Sequence, residues 1–185
     1  LLPIMDDSER DAIGTEKALE FIRAEPGRFI PLALNRLGFF FGLENRVLMY
    51  FYSNNLLGYI STPILLLISA FFLLPFVFVS ILAVFGLVSQ KPSQPRALLN
   101  LLLFAYIMPY VLILSEDRFH LALIPFLAML ASYTFVLLKE RRYVHYVSIR
   151  ILALAGILII LLVLNWGLEL NRDADKIAAI LQPNG

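Results

Sequence analysis

Ser115-Glu116-Asp117-Arg118-Phe119-His120 is a charged cluster set between two long apolar runs, and its reading decides the fold. Residues 97–114 before it and 119–138 after it are each long enough to cross a bilayer's hydrocarbon core, which takes about 20 apolar residues as a helix. The cluster is therefore expected as a tight turn at a membrane surface. Arg118 and His120 stand two positions apart at the mouth of the following helix, where that helix's unpaired N–H groups also point. Such a set of donors favours an anion, and a phosphate is the leading candidate. The same residues also fit plain topology, because Glu and Asp suit a helix N-terminus and Arg reaches readily to lipid headgroups.

Composition agrees with a membrane setting. In 185 residues, 60% are hydrophobic and 16% charged, with mean hydropathy +0.81, whereas a soluble domain carries about 25% charged residues. The formal net charge of +1 argues against a nucleic-acid partner, which calls for a concentrated basic face. With no cysteine and two histidines, neither a disulfide framework nor a metal site is expected.

Outward from the cluster, the chain reads as an all-α polytopic membrane bundle in three parts. Residues 1–60 form an extracytoplasmic or interfacial helical segment, 61–168 a region of four transmembrane helices, and 169–185 a short extracytoplasmic tail. Asp6-Asp7-Ser8 caps a polar helix from Glu9 to about Glu25, which Pro26-Gly27 ends. A second helix over about Arg28 to Gly42 carries Phe29, Ala33, Leu37 and Phe40 at helical spacing. It is expected to lie in the interface plane or to enter it obliquely, followed by an aromatic approach at Tyr50, Phe51, Tyr52 and Tyr59. The spans are 62–89, 97–114, 119–138 and 149–168, and the first three contain Pro75, Pro109 and Pro125 in their interiors. The opening Leu1-Leu2-Pro3 is read as the start of a C-terminal piece of a longer protein.

Loop charge sets an expected orientation. The turns after the first and third spans hold Lys91, Arg96, Lys139, Arg141, Arg142 and Arg150 against Glu140. The other side has Arg118, Arg172 and Lys176 beside Glu116, Asp117, Glu169, Asp173 and Asp175. The positive-inside rule puts the first set in the cytoplasm, so that the Arg118 turn, the N-terminal helices and the tail face outward. Trp166 then falls at the outer interface as a belt residue.

Arg118-Phe119-His120-Leu121-Ala122-Leu123-Ile124-Pro125-Phe126 resembles the Arg-Tyr-His-Leu-Pro-Leu-x-Pro-Phe pattern that opens a late span in membrane glycosyltransferases of the GT-C class. These use polyprenyl-phosphate sugars and are relatives of protein O-mannosyltransferases and of the lipid A aminoarabinose transferase. Upstream, Ala18 to Phe29 with Leu34-Asn35-Arg36-Leu37 looks like the same family's helix, Pro, Arg-Phe and Arg-Leu segment. The resemblance covers most of residues 9–138. Phe119 stands where the family has Tyr, and Ala122 replaces the first Pro, which leaves the third span free to begin as a regular helix.

The resemblance implies transfer of a sugar from a polyprenyl-phosphate donor to an acceptor on the outer face of a membrane, here a bacterial inner (plasma) membrane, with no other cofactor. It also implies partners: the bilayer, the carrier lipid, and an N-terminal transmembrane half bearing the acidic general base, whose counterpart in this chain is unassigned. Arg118 is the expected phosphate ligand, since its planar fork holds two oxygens and keeps its charge. His120 either donates one more hydrogen bond or serves as a structural partner. Glu116 and Asp117 are adjacent and do not converge on one point. Tyr106 and Tyr110, one turn apart, either line a pocket with them or pack within the bundle. Arg28 and Arg36 are read as headgroup or carrier-phosphate contacts. The competing reading is a non-enzymatic scaffold or transporter fragment. Transporters place ionisable residues near span centres, and these four spans have none.

Overall fold

The computed structural model describes residues 6–43, 58, 60–113, 117–140 and 148–181. Among them are seven α-helices, one 3-10 helix and no strand. Helices α1 (Asp7–Ala24) and α2 (Pro26–Phe40) come first. Four helices long and apolar enough to cross a membrane follow: α3 (Thr62–Ser89), α4 (Gln94–Leu112), α5 (Ile124–Lys139, extended back to Phe119 by the 3-10 helix Asp117–Leu123) and α6 (Ile149–Arg172). The short helix α7 (Ala174–Leu181) ends the described chain.

Helix starts follow local chemistry. Ser93 accepts a hydrogen bond from Arg96 N, and Ser148 from Ile151 N, both at 3.4 Å; each takes up a donor that the first turn leaves unpaired. Proline stands in the first turn of α2, α3, α4 and α5, where its missing N–H costs no intrahelical bond. Asp6 precedes α1 without capping it through its side chain.

One sequence expectation about the third span is corrected: it does not begin as a regular helix, for Asp117–Leu123 is 3-10. Pro125 lies inside the Phe119–Lys139 span, in the first turn of its α-helical part. Pro125 has no N–H to give the Leu121 carbonyl, and its ring crowds that carbonyl, so the residues before it wind more tightly. The fourth span also continues past residue 168 to Arg172, which draws Glu169 out of the expected tail and into a helix. The aromatic approach at Tyr50, Phe51, Tyr52 and Tyr59 lies outside the described residues.

Contacts fix the direction of the spans. Phe76 of α3 stacks on His120, and further along both segments Gly86 faces Leu130 and Thr134, so α3 and α5 run parallel. Phe76 also lies near Trp166, its ring 6.2 Å away, while Leu87 and Val88 share a groove with Ile151. Helix α6 therefore runs antiparallel to α3. One end of the bundle gathers the C-terminal end of α2, the 3-10 helix and the last turns of α6. The opposite end carries Lys91, Arg96, Lys139 and Arg150.

The α3–α5 contact is the most extensive in the bundle. Ser80, Ala83, Gly86 and Ser89 recur at intervals of three on α3 and are all buried, which lets backbones approach closely where lipid supplies no hydrophobic drive between helices. A Cβ at Gly86 would overlap the Leu130 carbonyl oxygen and lie 2.8 Å from Thr134 Oγ1. Thr134 Oγ1 donates to Leu82 O at 2.8 Å, tying the two helices at the same level. Large apolar side chains such as Phe71, Phe78, Leu101 and Ile149 stand on the outside, as a lipid-facing surface requires.

Candidate functional site

Helix α2 ends inside the bundle. Phe40 is fully buried, and Leu43 is 6% exposed. A helix end leaves its last carbonyls without intrahelical partners, and burying them unpaired is costly. Here each is met. Phe41 N donates to Leu37 O at 3.2 Å and Gly42 N to Phe39 O at 3.1 Å. From across the bundle, Asn165 Nδ2 donates to Gly38 O at 2.9 Å, and Trp166 Nε1 donates to Phe41 O at 2.8 Å. His120 Nδ1 lies 3.0 Å from Phe40 O; a carbonyl can only accept, so Nδ1 carries the proton. The next free donor, Leu43 N, reaches Glu169 Oε2 at 2.9 Å.

The 3-10 winding sets His120 for this contact. Its side chain is 1% exposed, and its ring stacks on Phe76 with centroids 4.5 Å apart and planes at 22°. Nδ1 and one face of the ring are thus engaged within the bundle. Tyr106 donates its hydroxyl to Phe119 O at 3.0 Å, and Tyr110 stacks on the Phe119 ring at 4.5 Å. Both tyrosines pack toward Phe40 in the core and away from the cavity described next. The backbone of Asp117 and Arg118 belongs to the 3-10 helix; their side chains, with Ser115, Glu116, Arg141 and Arg142, lie outside the described residues.

Beside the α2 end lies a cavity of about 300 Å³ between α2 and α6, lined by Asn35, Gly38, Phe39, Asn165, Glu169 and Arg172 among others. Its wall mixes amide, carboxylate and guanidinium groups. The Arg172 guanidinium sits over the Phe39 ring, 4.5 Å from the centroid, held by the ring's negative face. Next to it, the Asp173 carboxylate is 1% exposed and pairs with Lys176 Nζ at 2.9 Å. Arg36 turns elsewhere, donating to the Leu112 carbonyl at the C-terminal end of α4, where a cation complements the helix dipole. Arg28 pairs with Glu25 at 3.2 Å on the exposed surface.

Sequence reasoning missed this cavity's α6 wall. Trp166 is 5% exposed and donates inward, so it is not a headgroup belt residue. In the sequence, Asn165 falls at the end of the fourth span and Glu169, Arg172 and Asp173 in the expected tail. Their spacing of four, three and one places them near one helix face, and that polar recurrence closing an apolar run was the available signal.

Compared with family models, curated proteins and solved structures, the chain matches none.

Proposed function

We infer that this chain is the C-terminal part of a membrane glycosyltransferase that moves a sugar from a polyprenyl-phosphate donor to an acceptor on the outer face of a bacterial plasma membrane. One relationship carries the reading. The elements that carry the two stretches resembling the GT-C class meet at one end of the bundle, where α2 packs on the 3-10 helix that leads into α5. A polar cavity opens beside that junction.

In this reaction the acceptor hydroxyl oxygen bonds to the sugar's anomeric carbon, and the bond from that carbon to the phosphate oxygen breaks. The acceptor's proton goes to a general base, and negative charge grows on the leaving phosphate. In this reading Arg118 holds that phosphate, and the cavity's amides offer donors and acceptors to sugar hydroxyls. His120 acts through Phe40, keeping α2 seated. The base is supplied by the N-terminal half that the resemblance implies.

The test is turnover of a polyprenyl-phosphate sugar by the protein that contains this chain. A charge-assisted hydrogen bond contributes roughly 1.5–3 kcal/mol, so Arg118→Ala should lower turnover about tenfold to a hundredfold. Arg118→Lys should recover part of the loss, because an ammonium cannot grip two oxygens in one plane. Arg142→Ala, on the opposite loop, should leave turnover unchanged. Normal insertion of Arg118→Ala with parental turnover would overturn the reading and favour a scaffold.

A further inference from the structure

At the end of the bundle away from this cavity, a groove of about 460 Å³ runs between α3, α4 and α6. Arg96, Asn100 and Leu103 of α4 form one wall at spacings of four and three, while Arg150, Leu154 and Leu158 of α6 form the other at spacings of four. Each stripe starts with an arginine in the first turn of its helix and becomes apolar within two turns. Leu87 and Val88 of α3 contribute further apolar lining. Polarity thus falls along the bundle axis on both walls at once, from two guanidinium groups through one amide to leucine.

The two arginines stand at the bundle end where the positive-inside rule expects anionic lipid. Arg96 donates to the Gln90 carbonyl, which uses part of a five-donor group. No ion pair to Arg150 occurs among the described residues. We propose that this groove is a binding site for one anionic phospholipid, its phosphate between Arg96 and Arg150 and an acyl chain along Leu103, Leu154 and Leu158. Charge complementarity selects an anionic head, and the polar-to-apolar gradient selects an amphiphile over a free anion. The Asn100 amide, one turn below Arg96, lies at the depth of the glycerol esters. The site is independent of the glycosyltransferase reading, since it uses none of the same residues.

Native mass spectrometry of the detergent-purified full chain, titrated with phosphatidylglycerol or phosphatidylcholine, tests this. The parent chain should retain one phosphatidylglycerol more tightly than phosphatidylcholine. Arg150→Gln should weaken that binding roughly fivefold, and Arg96→Gln with Arg150→Gln about tenfold or more. Leu154→Trp, which fills the apolar half and leaves both charges, should also weaken it. Lys91→Gln with Lys139→Gln removes two charges that do not line the groove and should leave it intact. Equal loss in that control, absence of a head-group preference, or displacement of the lipid by millimolar inorganic phosphate would each overturn the proposal.

Discussion

His120 and Phe40, eighty positions apart, meet at a single buried point: the imidazole Nδ1 lies 3.0 Å from the Phe40 carbonyl oxygen. Neither side chain is more than 1% exposed. Phe40 is the last residue of α2, so this contact, with those of Asn165 and Trp166, decides whether the helix end can be buried at all. Four side chains of other elements, His120, Asn165, Trp166 and Glu169, meet the backbone at Phe40, Gly38, Phe41 and Leu43.

Replacing His120 by Phe keeps an aromatic ring against Phe76 but leaves the Phe40 carbonyl without its donor. An unsatisfied buried acceptor costs about 1–3 kcal/mol, and His120→Ala should cost more because it also opens a void. Thermal unfolding in detergent should rank the parent above His120→Phe and that above His120→Ala. Equal stability of all three would mean that the imidazole does not hold α2.

Trp166 is the only tryptophan and donates to Phe41 O, so its fluorescence reports directly on α2 seating. Glu169→Ala removes the acceptor of Leu43 N and should shift the emission to longer wavelength as the indole meets a more polar environment. Trp166→Phe should lower stability by about 0.5–1.5 kcal/mol, the net worth of an ordinary hydrogen bond. Unchanged emission in Glu169→Ala would mean that α2 stays seated without this anchor.

Gly86 admits the α5 backbone to α3. Gly86→Ala should destabilise the bundle by about 1–3 kcal/mol, since overpacking a close contact forces the backbone to shift, and Gly86→Leu should separate the helices outright. Thr134→Val, which keeps the shape and removes one hydroxyl bond, should cost less than either. Cysteine cross-linking between the two helices measures the separation directly, and undiminished cross-linking in Gly86→Leu would contradict the contact.

The chain's lack of cysteine permits a clean test of sidedness. Single cysteines at Asp117 and Arg142 should react with an impermeant thiol reagent from opposite sides of the membrane, Asp117→Cys from outside. Labelling of Arg142→Cys from outside would reverse the proposed orientation, though not the grouping of elements at the two ends.

The sequence by itself determined the four spans, the two helices before them and most boundaries to within a few residues. That is because apolar length and a helix-breaking Pro-Gly pair act locally, through hydrophobic thickness and backbone geometry. The 3-10 winding before Pro125 was not expected, although its cause is local, since proline's missing N–H acts only four residues back. What only the tertiary structure decided is the seating of α2. Its carbonyls take donors up to 127 positions away, and no local pattern states which distant side chain will satisfy a given carbonyl. The same holds for the cavity wall. Asn165, Glu169 and Arg172 look like a span giving way to a polar tail until α2 packs against them, because burial of a polar group is a property of its neighbours and not of its place in the chain.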